Sequence, residues 1–158
     1  MKHSIVLLVA LTLAVMAGSA YGVEEFKITA EDADAEDFFG TSVSIDGDFA
    51  IVGAPYDDDE GENSGSAYIF VREGEEWFQQ QKLIANDAAA GNFFGWSVSI
   101  DGGYVIIGAY QDDDDGGGSG SAYIFTRDGE EWNQQEKLTA ADADEGDYFG
   151  NSVSINGN

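Results

Sequence analysis

Carboxylates are the only side chains in this sequence present in the numbers and spacing that chemistry would need. Asp57, Asp58 and Asp59 stand together before a glycine-rich stretch, and residues 112–115 repeat the arrangement. Alternate carboxylates on a flexible loop could chelate a hard cation. Asp57 and Asp59 could face one calcium ion with a backbone carbonyl near Gly61, and Asp112 and Asp114 could do the same in the second copy. The same residues also suit a solvated turn, where Asp and Gly are favoured and like charges protect a sheet from edge pairing. A third acidic set, Asp32, Asp34 and Asp37, returns as Asp142, Asp144 and Asp147, but Ala88, Ala89 and Asn92 break it in between, which argues against a repeated metal site there.

Enzymatic chemistry has little to stand on. The single histidine is His3 and cysteine is absent, so Ser-His, Cys-His and zinc-His arrangements are missing from everything after the first residues. With 31 acidic side chains some pair always falls at glycosidase separation, so such a pair carries no weight. The expectation is a protein that is not an enzyme. The net charge of −25 also excludes nucleic acid as a partner, because this surface repels phosphates and the few Lys and Arg form no patch. Hydrophobic residues at 43% and aromatics at 13% still suffice for a core, which separates the chain from disordered acidic tails.

The elements that must carry these loops come from a repeat. Phe39-Gly40, Phe94-Gly95 and Phe149-Gly150 recur every 55 residues with nearly the same words around them. Within one repeat the pattern has period two, divided by Gly, Asp and Asn into four runs. Residues 41–46 alternate Val43 and Ile45 with Ser42 and Ser44, and Asp46-Gly47 marks a tight hairpin. Residues 49–54 are almost wholly apolar and read as a strand buried on both faces. After the acidic loop, residues 65–72 place Ala67, Ile69 and Val71 on one face and Tyr68 and Phe70 on the other. Residues 76–84 mix Trp77 and Leu83 with glutamines and Lys82, as an outer strand partly open to water does. Residues 97–101, 104–109, 120–127 and 131–138 repeat the four, and 152–155 begins a third set. Four antiparallel strands in about 50 residues, repeated, predict an all-β chain of β-propeller blades, about two and a half of them; a β-solenoid is the competing architecture.

Residues 1–22 stand apart from this pattern. Lys2 and His3, the apolar run 5–16 and the small residues Ala17, Gly18, Ser19 and Ala20 have the form of a secretory signal, too short to span a bilayer comfortably. The expectation is therefore a secreted, cell-surface or periplasmic protein with no membrane span after signal cleavage. The divisions that follow are 23–36 as the end of a preceding blade strand and linker, 37–91 and 92–146 as complete repeats, and 147–158 as the start of a third. No disulfide can support the exported chain.

The strings in residues 35–40, 42–48, 53–59, 65–70 and 75–83, with Phe39-Gly40 followed by Gly53-Ala54-Pro55, resemble the FG-GAP repeat of integrin alpha-chain propellers, most closely its bacterial type. The resemblance implies part of a seven-bladed extracellular propeller used in adhesion and in binding protein or glycan. Two departures limit it. The hairpin that holds calcium in the integrin type is reduced here to Asp46-Gly47-Asp48 and Asp101-Gly102-Gly103, too short for six to eight oxygen ligands, and Tyr110 stands where repeat one has Pro55.

Among the aromatics, Trp77 and Trp132 share a repeat position, which suits packing between sheets. Trp96 aligns with Thr41 and Asn151, so it varies where the framework does not, and it is the candidate ligand contact. Two functional readings follow: a non-catalytic binding or adhesion module for a protein or glycan at the cell surface, or a structural, calcium-stabilised surface repeat without a specific ligand. A closed propeller needs at least about four blades, so the expectation is a fragment of a longer propeller; self-assembly enters only if the chain is complete.

Overall fold

The computed structural model describes residues 26–157; the expected signal, 1–22, lies outside them. Eight strands form two four-stranded antiparallel sheets whose spatial order follows the chain. The first holds β1 (Ser42–Asp46), β2 (Phe49–Ala54), β3 (Ser66–Glu73) and β4 (Glu76–Leu83). The second holds β5 (Ser97–Asp101), β6 (Tyr104–Ala109), β7 (Ser121–Asp128) and β8 (Glu131–Leu138). These are the four-stranded meanders of propeller blades.

The hairpins form where Gly47 and Gly102 take positive φ at the first loop position, which closes Asp46 on Phe49 and Asp101 on Tyr104. In β4 one extra residue, Gln80, is inserted between the partners of Ile69 and Phe70, and β8 carries the same bulge at Gln135. Residues 152–155, expected as a strand, join no ladder, because no adjacent strand among the described residues pairs with them.

Side-chain alternation along β2 and β3 splits two cores. Ile51, Ala67 and Ile69 face the second sheet and meet Phe94, Val98, Ile100, Val105, Ile107, Tyr123, Phe125 and Trp132. Ala50, Val52, Tyr68 and Phe70 face the other way, onto Ile28, Ala30 and Phe39. The main core therefore lies between sheets, which is why a single 55-residue unit cannot bury its own apolar faces. Fourth strands are bridged as well. The Gln81 amide accepts from Trp132 N–H and donates to Trp132 C=O, both at 2.8 Å, and the Trp132 indole N–H reaches Gln80.

Nearest the start of each sheet the link is made by side chains reaching backbone. Val98, Ile100 and Gly102 N–H donate to Ser42 Oγ, Ser44 Oγ and Asp46 Oδ2 at 3.0, 3.2 and 2.8 Å. Ile155 and Gly157 N–H donate likewise to Ser99 Oγ and Asp101 Oδ2 at 3.2 and 2.7 Å. Ser42, Ser44 and Ser99 thus accept from backbone one repeat later, whereas Ser97 donates its hydroxyl to the Gly150 carbonyl at 2.8 Å.

Candidate functional site

The acidic loops after β2 and β6 are held in one shape by their own residues. Asp59 N–H donates to Asp57 Oδ1, Asn63 N–H to Asp58 Oδ1, and Ser64 Oγ to the Asp57 carbonyl; Asp114, Gly118 and Ser119 repeat all three around Asp112 and Asp113. This folds Asp57 and Asp112 inward until both are buried. Tyr68 and Tyr123 hydroxyls, projecting from β3 and β7, each donate to them at 2.8 Å.

A lysine from the fourth strand enters the same space. Lys82 Nζ lies 2.8 Å from Asp32, 2.9 Å from Asp57 and 2.6 Å from Asp59. Lys137 Nζ lies 2.7 Å from Asp87 and 3.1 Å from Asp112, and also bonds Asp114. Asp57 and Asp59 therefore do converge, as do Asp112 and Asp114, and in each copy an ammonium sits between them. Carboxylate oxygens of Asp32, Asp57 and Asp59 lie within 4.8 Å of one another.

Burial pushes the Asp57 carboxyl up, but hydrogen bonds from Lys82 and Tyr68 outweigh it and hold the group below its ordinary range. Asp87 is lowered in the same way by Lys137. Burial would lower Lys82, yet Asp32, Asp59 and Asp57 raise it, so the ammonium stays charged. One position distinguishes the copies. Asn92 donates from Nδ2 to Asp112 at 3.0 Å, whereas its counterpart Asp37 brings another carboxyl toward Asp57 and is raised, first by burial and then by the charges of Asp57 and Asp34.

Lys82, Lys137 and Asp87 were missing from the sequence-based site, and Asp32 had been set aside with the third acidic set. The signal was available, since Lys82 and Lys137 are 55 residues apart, as are Asp32 and Asp87. Period two alone placed each lysine on a wetted outer strand.

Trp96 lies just before β5, half-buried, with its ring 4.5 Å from Tyr110. Tyr110 belongs to a row: Phe38, Tyr56, Phe93, Tyr110 and Tyr148 follow one another at centroid spacings of 4.6, 5.1, 5.7 and 5.8 Å. Three of these, Phe38, Phe93 and Tyr148, hold φ of 55°, 54° and 54°, a region that bulky residues avoid. The left-handed turn separates neighbouring rings. Phe38 remains 53% exposed, while Phe39 packs on Tyr68 and Phe70.

A family model described as the FG-GAP repeat matches residues 23–70, 77–125 and 132–158. The chain belongs to the FG-GAP repeat family. No curated protein matches it. The second FG-GAP match begins in β4 and ends in β7, so the family unit is offset by one strand from the sheet and ties two blades together. The FG-GAP name also acquires a physical meaning. The FG phenylalanine fills the core, and the FG glycine of one unit lies against the GAP glycine of the unit before it, as Gly95 does on Gly53 and Gly150 on Gly108. Among the described residues no helix is long and apolar enough to cross a membrane.

Proposed function

We propose that this FG-GAP chain is a non-catalytic binding or adhesion module, exported to the cell surface, the periplasm or the medium, that takes a protein or glycan on the aromatic row around Trp96. The carrying observation is the row itself: six rings from three repeats in mutual contact, part-exposed and held outward by unfavourable backbone angles. Aromatic rings supply large contact area at little entropy cost, and stored backbone strain is concentrated at functional surfaces. The test is surface binding of the purified chain to a panel of extracellular-matrix proteins and neutral polysaccharides. Saturable binding that Trp96→Ala weakens, with an unchanged melting curve, is the expected result; binding indifferent to Trp96→Ala would remove the row from the contact.

The second reading is a structural repeat in which calcium on Asp57, Asp59, Asp112 and Asp114 adds stability. The convergence of Asp32, Asp57 and Asp59 favours it, although calcium would compete with the Lys82 ammonium for the same oxygens. Melting with millimolar calcium and then with a chelator decides it, and coincident curves would sink it.

A further inference from the structure

Asp-Gly is a pair at which a protein backbone can rearrange without an enzyme. The glycine nitrogen attacks the side-chain carbonyl carbon of the aspartic acid, the amide hydrogen and the carboxyl hydroxyl leave as water, and a succinimide ring closes. Water then opens the ring at either carbonyl, giving aspartate or isoaspartate, whose main chain runs through the β-carbon. Glycine permits the attack because no side chain stands beside its nitrogen. Four such pairs are present: Asp46-Gly47, Asp101-Gly102, Asp115-Gly116 and Asp128-Gly129. The fold ties three of them. The Asp46 carboxylate accepts from Gly102 N–H at 2.8 Å, which occupies the carboxyl of the first pair and the nitrogen of the second. The Asp101 carboxylate accepts from Gly157 N–H at 2.7 Å, which holds the Asn156-Gly157 pair as well. Gly116 N–H donates to the Asp113 carbonyl at 3.1 Å, so the third nitrogen is also engaged.

Asp128-Gly129 carries neither restraint among the described residues. Asp128 opens the exposed turn between β7 and β8, closed by its pairing with Glu131, and Gly129 holds a φ of 64° with open space around it. This openness belongs to the blade itself: the equivalent turn of the first sheet, Glu73 to Glu76, is exposed in the same way although the second sheet packs beside it. That turn has Glu73-Gly74, where a glutamate would have to close a larger, slower ring. We propose that Asp128 is a site of spontaneous isoaspartate formation, the Asp-Gly pair of the four that reacts in the folded chain. The consequence falls on the joint between blades. An extra backbone atom in a two-residue turn breaks the pairing of Asp128 with Glu131 and displaces the start of β8. The next residue, Trp132, is the one that Gln80 and Gln81 of β4 hold, so isomerisation loosens the contact between fourth strands.

Incubation of the purified chain at neutral pH for several weeks, followed by peptide mapping and enzymatic methylation of isoaspartyl carboxyls, tests this. Isoaspartate at Asp128 should exceed that at Asp46, Asp101 or Asp115 by about tenfold, the factor that one hydrogen bond on a reacting atom supplies. In denaturant the four pairs should react at similar rates, because no fold then distinguishes them. Asp128→Glu, which copies the first repeat at an exposed position, should abolish the Asp128 signal and leave the melting curve of fresh protein unchanged. Glu73→Asp should add a second signal. Aged parent chain should melt below fresh chain, and aged Asp128→Glu chain should not. Equal isoaspartate at all four pairs of the folded chain, or a folded chain intact at Asp128 while the denatured chain reacts there, would overturn the proposal.

Discussion

Gly53 and Gly95 touch across the boundary between the two sheets: a Cβ on Gly53 would lie 1.9 Å from the Gly95 carbonyl oxygen. Gly108 and Gly150 repeat the relationship at 1.9 Å. Two backbones approach here with no room for a side chain, and the contact joins the FG half of one repeat to the GAP half of the repeat before it.

Gly53→Ala should therefore destabilise the chain by about 3 kcal/mol or more, since the atom it strikes is backbone and cannot turn aside. Gly47→Ala is the control. Its Cβ meets nothing within 4 Å, so only the φ of 57° penalises it, by about 1 kcal/mol. Chemical denaturation of the two variants should show this order, and equal losses would remove the interlock as the cause.

Lys82→Met should cost about 3 kcal/mol, because it strands the buried Asp57 carboxylate without its counter-charge. The vacated space leaves three carboxylates with oxygens within 4.8 Å of one another. Millimolar calcium should accordingly raise the melting temperature of the variant more than that of the parent chain, and an equal response in both would show that the ammonium does not hold the position a metal could take.

Asp37→Asn should stabilise the chain by about 1 kcal/mol at neutral pH, supplying to Asp57 the amide hydrogen bond that Asn92 already gives Asp112. The sign is fixed by burial, which together with Asp57 and Asp34 raises the Asp37 carboxyl. Stability that the group contributes when protonated is complete below its unfolded value, near 3.8, and is lost as pH rises through the raised folded value. The advantage of the Asn variant should thus grow on going from acid to neutral pH; a pH-independent difference would contradict it.

Asp57 and Asp87 act in the opposite sense. Burial raises both, but Lys82 with Tyr68 on one and Lys137 on the other outweigh it and lower them. Their contribution is complete above the unfolded value of 3.8 and is lost as pH falls through the lowered folded values. Asp87→Asn should flatten the acid limb of a plot of melting temperature against pH, and leaving that limb unchanged would show the pair with Lys137 to be without effect.

Much of the fold was legible before any coordinates. The strand limits 49–54, 97–101, 104–109 and 131–138 read from period two and turn residues coincide with β2, β5, β6 and β8, because an antiparallel meander is a local structure whose hairpins are written in Asp-Gly and Glu-Gly pairs. The expectation for 152–155 failed for a non-local reason: a strand exists only when another pairs with it. The candidate site was half legible. Asp57, Asp59, Asp112 and Asp114 could be picked out because they are adjacent in sequence, whereas Lys82 lies 25 residues beyond Asp57 and reaches it only across β3.

The order of residues alone settled the 55-residue period, the four strands per unit, the acidic surface and membership of a repeat architecture, since each depends on near neighbours and on composition. The tertiary structure decided what occupies the acidic loops, which phenylalanine of each pair faces water, and where glycine is indispensable. Those depend on which strand lies beside which, and several of the deciding contacts join residues some 40 to 50 positions apart, as with Gly53 and Gly95, Asp32 and Lys82, and Gln81 and Trp132.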